Sequence, residues 1–316
     1  MGRQTSIADS IDTVNRNAQY DEACKRLLAN RELLSWILKE VTEEYQDCDV
    51  KTIAERYIDS QPQIASIPVN PGETNAGIIG LRNEDTVYGE GKVTYDIHFQ
   101  AVYPQGNGFI KMFINVEAQK DFYPGYTLQK RGLFYCCRMI SAQYNTEFTE
   151  PDYDKIKKVY SIWICMNPSK KAGNAIVRYG IRKEDLVGRL KESAADYDIL
   201  SMIMICLGGE EAENYKGILK LLDVLFSREK DAEEKKRILE TEFGIEMTKK
   251  MEREVHVMCN LSEGLVEEVT REVTNNVESR FEKLNLRLLA EKRYEDLERA
   301  SKEREYREKL CREFGI

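Results

Sequence analysis

The most constraining feature of this sequence is a β-hairpin that carries acids on one of its faces. Residues Gly91–Phe99 and Phe113–Lys120 read as two strands, and Pro104–Gly108 between them is rich in residues that accept turn dihedrals. Strand side chains alternate between faces, so Glu117 and Gln119 point the same way. Pairing Tyr103 with Gly108 sets Ala101 against Ile110, Phe99 against Met112, Ile97 against Ile114 and Tyr95 against Val116. That register gathers an apolar ladder on one side, which a slip of one residue would scatter. The other side then carries Asp96 opposite Asn115, with Glu117 on the diagonal, where neighbours lie roughly 7–8 Å apart at the backbone. Two carboxylates held this close repel unless a cation or proton lies between them. The pattern predicts a cation site.

Composition narrows the choice of cation. The chain has only two histidines, and its eight cysteines show no C-x-x-C spacing, which argues against zinc. Oxygen ligands call for magnesium or manganese. Several cysteines sit in apolar runs and read as buried free thiols of a reducing cytoplasm, with Cys136 and Cys137 pointing in different directions on a helix. No run approaches the ~20 apolar residues of a membrane span, and the N-terminus lacks a signal-peptide core. The expectation is a cytoplasmic protein with no membrane partner. A net charge of -8 counts against tight nonspecific DNA binding, although a local basic groove can hold phosphates on an acidic protein.

Asp96, the hairpin, Glu117-Ala118-Gln119 and a following helix with Arg131 and Tyr135 together resemble the PD-(D/E)xK nuclease superfamily. Within it, the sequence is most similar to the recombination-promoting nuclease/putative transposase family of bacteria. The stretch Met258–Gly264, coming after Lys235–Ile245, adds to the likeness, which runs from about Tyr20 to the C-terminus. The resemblance implies an α/β fold with a restriction-endonuclease-like mixed sheet flanked by helices. It implies magnesium (or manganese) held by Asp96, Glu117 and the backbone carbonyl of Ala118, for hydrolysis of DNA phosphodiesters. Gln119 stands where the superfamily usually has lysine, although the nearer family commonly carries glutamine. An amide positions water but supplies no charge. Arg131 and Tyr135 lie four apart, hence on one helical face, and the resemblance makes them substrate-binding residues. It also implies an acid from the first helix, for which Glu32, Glu40, Glu43 and Glu44 are candidates.

Each residue also has a plainer reading. Strand acids usually face solvent. Gln119 can bond to its neighbours, Arg131 can pair with an acid, and Tyr135 can pack in the core. His98 shares the face of Asp96 and reads as an ordinary hydrogen-bonded histidine rather than a general base.

Along the rest of the chain, Leu27, Leu34, Leu38, Val41 and Tyr45 mark one amphipathic helix over Asp21–Gln46. Gln61–Ala76 reads as a proline-rich loop and Gly77–Leu81 as a short strand. Tyr126–Tyr144 reads as a helix, and Val159–Met166, Ala175–Ile181 and Ile199–Leu207 as strands. This order is that of a layered α/β domain over residues 15–210. Residues 211–316 form an α-helical C-terminal region, with breaks near Gly244, Ser262–Gly264 and Ala300–Ser301. There Val266, Val269, Val273, Val277, Phe281, Leu284 and Leu288 make a stripe that seeks a partner helix, in this chain or in a second subunit of a homo-oligomer. The basic pairs Lys157–Lys158, Lys170–Lys171 and Lys249–Lys250 are ordinary surface or the border of a DNA groove. The expected function is a metal-dependent DNA endonuclease linked to transposition or recombination. The competing expectation is an inactive nuclease-fold protein that binds DNA or oligomerises, which the absent lysine and the negative charge favour.

Overall fold

The computed structural model describes residues 18–58, 63–64, 84–87, 91–105, 108–168, 172–208, 216–227 and 229–315. The side chains of residues 262–279 lie outside this description, as do Gly77–Leu81 and most of the expected proline-rich loop.

The hairpin forms as β4 (Ile97–Gln105) and β5 (Gly108–Asp121). Its register differs from the expected one by two residues: Tyr103 faces Ile110 and Gln105 faces Gly108. Pairing therefore continues through Pro104 and Gln105. A shift of two preserves which face each side chain takes, so Ile97, Phe99, Ala101, Met112, Ile114 and Val116 are still buried. The polar face changes partners. His98, not Asp96, sits opposite Asn115. Asp96 lies one step beyond the Ile97–Val116 pair and so comes opposite Glu117.

Around this hairpin the described strands form a six-stranded mixed sheet, with β1 (Gln63–Ile64) at one edge, then β4, β5, β6 (Val159–Asn167), β8 (Leu200–Cys206) and β7 (Ala175–Gly180). The pairs β5–β6 and β6–β8 are parallel and the others antiparallel. Val159–Cys165 of β6 is buried without interruption, as a central strand with parallel neighbours requires. The strands β2 (Glu84–Val87) and β3 (Gly91–Thr94) make a separate antiparallel ribbon.

The single expected N-terminal helix is two helices, α1 (residues 18–28) and α2 (Arg31–Val41). The break is at Asn30, whose extended backbone and side-chain Oδ1 cap α2 by accepting from the N–H groups of Glu32 and Leu33. One sheet face is covered by α3 (Leu128–Ser141), which packs Leu128, Tyr135, Cys136 and Met139 against Trp163, Met202 and Met204. Past α2, Tyr45 donates to the Val102 carbonyl and Tyr160 donates to Glu44, which ties that end of the chain to the sheet.

Two compact units divide the chain, one ending at Cys259 and the other running from Asn260 to the C-terminus. The expected boundary near residue 210 does not separate them. Helix α4 (Gly217–Phe226) buries Ile218, Leu221, Leu222 and Leu225 and contacts α2. Helix α5 (Ala232–Phe243) ends on Gly244, left-handed at φ 62°, as its sequence suggested. By contrast α6 (Lys249–Ala290) is continuous through Ser262–Gly264. An internal glycine costs only about 1 kcal/mol, which a helix of 42 residues absorbs. In the C-terminal unit, Leu284 and Leu288 pack against Leu297 and Ala300 of α7 (Tyr294–Lys302) and Leu310 of α8 (Arg304–Phe314). That end of the apolar stripe thus finds its partners within the chain. No helix among the described residues is long and apolar enough to cross a membrane.

Candidate metal and phosphate site

Asp96 and Glu117 are brought together by the hairpin and bound to each other through the backbone. The Asp96 N–H donates to Glu117 Oε1 at 3.0 Å, and the Ala118 N–H donates to Asp96 Oδ2 at 3.1 Å. Asn115, fully buried two residues earlier on the same strand face, donates its amide to Glu117 Oε1 at 3.0 Å. Glu117 is only 3% exposed. Burial, then the repulsion of Asp96, pushes its carboxyl well above the usual range against the pull of the Asp96 N–H and Arg131. Asp96 is also raised, chiefly by burial, although Lys25 holds it down.

Lys25 is the site residue that sequence patterning missed. Helix α1 delivers its ammonium to Asp96 Oδ1 at 2.9 Å and to Asp21 Oδ2 at 2.6 Å, with the lysine side chain 8% exposed and that of Asp21 37%. Burial opposes its charge, but the two acids outweigh burial and raise its pKa. The i, i+4 spacing of Asp21 and Lys25 was a readable signal. The contact with Asp96, seventy-one positions away, was not.

None of the four anticipated first-helix acids lies here. Glu32 accepts from the Glu246 N–H, Glu40 lies beside Gly217, Glu43 pairs with Arg178, and Glu44 pairs with Lys158 and Tyr160. They follow the break at Asn30 and belong to α2 or the turn after it. The first-helix acid nearest the pair is Asp21.

Arg131 and Tyr135 approach from α3 on the same side of the sheet. The Arg131 guanidinium donates to the Tyr135 hydroxyl from Nε at 3.1 Å and from Nη2 at 2.7 Å, and also to the Tyr126 hydroxyl. It lies over the Tyr126, Tyr135 and Trp163 rings, 5.1–5.6 Å from their centres. The Tyr135 hydroxyl in turn donates to the Thr94 carbonyl at 3.4 Å. Gly132 permits this approach: a Cβ there would sit 2.6 Å from Met202 Cε and 2.9 Å from Trp163 Nε1. Gln119 is half-buried on the same strand face as Glu117. The His98 ring packs at 4.7 Å on that of Tyr95.

Among the described residues, no group of three or more His, Cys, Asp or Glu side chains is arranged to hold a metal ion. The donor chemistry still fits one class of ion. Two carboxyls pressed together in a low-polarity setting would, once ionised, carry more negative charge than the one ammonium in contact offsets. Magnesium is typically bound by one or two carboxylates and completes its shell with water or substrate oxygens. All eight cysteines are free thiols, Cys136 buried and Cys137 exposed. Of the basic pairs, Lys158 is occupied by Glu44 and Asp198, Lys249 and Lys250 are exposed, and Lys170–Lys171 lies outside the described residues. Comparisons with protein-family models, with curated proteins and with solved structures find no match to this chain.

Proposed function

We propose that this protein is a metal-dependent endonuclease that hydrolyses DNA phosphodiester bonds, with a restriction-endonuclease-like sheet at its core. The observation that supports this most is the meeting of Asp96 and Glu117, chosen from sequence, on one buried polar face beside Arg131 and Lys25. Asp96, Glu117 and the Ala118 carbonyl would hold magnesium or manganese, which supplies Lewis acidity and positive charge at the phosphate. Arg131, fixed by two tyrosine hydroxyls and lying over aromatic rings, is a guanidinium suited to a phosphate oxygen. Gln119 can hold a water by hydrogen bonds but cannot add charge. By resemblance, the biological setting is DNA breakage tied to recombination or a mobile element in a bacterial cytoplasm.

The test is nicking of supercoiled plasmid with magnesium or manganese, run beside Asp96→Ala. Cleavage by the parent and none by the variant is expected. An inert parent would remove the hydrolytic reading. The second reading, a catalytically silent nuclease-fold protein that binds DNA or self-associates, draws on the Lys25 ammonium that already neutralises Asp96. DNA retention without cleavage would favour it.

A further inference from the structure

We propose that Lys25 is a tethered cation that holds the Asp96 ligand in the absence of metal, and that a divalent ion enters by displacing its ammonium from Asp96, leaving it on Asp21. The inference rests on the site assignment above and specifies how that site is gated.

Three observations carry it. First, the ammonium is bound to the same carboxylate that would ligate the ion, at Asp96 Oδ1. The other oxygen, Oδ2, is engaged by the Ala118 N–H. An ion that binds Oδ1 must therefore displace the lysine. Second, Lys25 has a place to go. Asp21, one helical turn earlier on α1, already holds the ammonium at 2.6 Å. Letting go of Asp96 breaks one of two ion pairs and leaves the other, so the ammonium keeps a partner without movement of its helix. Third, the charges are unequal. Asp21 and Asp96 share one ammonium, and Glu117 has only the attraction of Arg131. Glu117 has backbone and amide donors but no lysine contact of its own. A doubly charged ion between Asp96 and Glu117 meets both acids, whereas Lys25 meets only one of them. Arg26, the neighbouring cation, is committed elsewhere, to Glu22 and Glu254.

The arrangement keeps Asp96 neutralised while divalent ion is scarce and makes the site's affinity depend on releasing one ion pair. The test is calorimetric titration of the full chain with manganese, comparing the parent with Lys25→Met and with the control Arg26→Met. Lys25→Met should tighten manganese binding by roughly tenfold or more, because a unit positive charge in contact with the ligand is removed. Arg26→Met, which leaves that contact intact, should change it by less than about twofold. Heteronuclear NMR of the parent's lysine ammonium groups gives a readout independent of any variant's folding, in which the Lys25 signal should shift on saturation with magnesium. Equal or weaker manganese binding by Lys25→Met, or a Lys25 signal unmoved at saturation, overturns the displacement. If the Lys25→Met chain fails to fold, the parent's NMR titration decides alone. A parent that binds manganese without nicking plasmid sinks the hydrolytic reading and leaves the gate standing. If neither parent nor variant binds the ion, both fall.

Discussion

At the scale of single residues, Glu117 is the most exacting position. A carboxyl with so little exposure is normally paired with a cation, and here its hydrogen-bond donors are neutral. Its folded pKa lies well above the ordinary 4.5. Its contribution to stability is therefore fully present below pH 4.5 and is lost as pH rises through the raised value, because the folded state holds its proton longer than the unfolded chain does. Urea midpoints of the metal-free protein should fall across that window, and Glu117→Gln should flatten the fall while raising stability at neutral pH. Saturating magnesium should also flatten it in the parent, since the ion replaces the proton as the compensating charge. A parent with no slope there would show that Glu117 is not the strained acid described. Arg131 makes a second residue-scale prediction. Arg131→Lys keeps the charge but loses the paired donors to Tyr135 and the guanidinium's place over the Trp163 ring. Affinity for a DNA oligonucleotide should fall about tenfold or more in a fluorescence-anisotropy titration, with manganese affinity unchanged.

At the scale of elements, what matters is how closely α3 lies on the sheet. Gly132→Ala would drive a methyl group into Met202 and the rigid Trp163 indole. Overpacking of this kind costs about 1–3 kcal/mol, so the thermal midpoint of the sheet unit should drop by several degrees. DNA affinity should fall with it, because Arg131 is adjacent to the displaced residue. Helix α5 supplies the opposite case. Lys235 is buried with its ammonium on the Leu225 carbonyl at 3.1 Å, and burial lowers its pKa from 10.5. With the folded pKa depressed, the unfolded chain binds the extra proton, so this lysine's contribution rises as pH climbs from the lowered value toward 10.5. Lys235→Met should stabilise the protein at neutral pH and abolish that alkaline rise, measured as the difference between parent and variant denaturation curves. Equal curves would mean that the lysine is solvated after all.

At the scale of the whole molecule, the chain is two compact units, each with its own apolar cluster. The cluster around Leu284, Leu288, Ala300 and Leu310 is small, and removing a fully buried leucine from it should cost about 2–5 kcal/mol. Leu288→Ala is expected to lower or abolish a calorimetric transition belonging to the C-terminal helices. The manganese-induced shift of the sheet unit should remain as in the parent. Loss of that shift would mean that the proposed metal site depends on residues beyond Cys259.

Alternation and periodicity, which act between near neighbours, were enough to reveal the strands β5 to β8, the helix of Arg131 and Tyr135, and the shared face of Asp96 and Glu117, but they fused β4 with Gly91–Thr94, which the bend at Asp96 separates into another ribbon. The terminal glycine of α5 was readable too, because a left-handed cap is a local demand of the backbone. Register was not, because a shift of two leaves every side chain on its own face, so pattern alone could not set Asp96 opposite Glu117 rather than Asn115. Nor was the extent of the first compact unit, since the apolar faces of α4 and α5 do not disclose which surface they cover. Lys25 marks the limit most plainly: its helix position was open to reading, but only the folded chain could bring its charge to an acid seventy-one positions away.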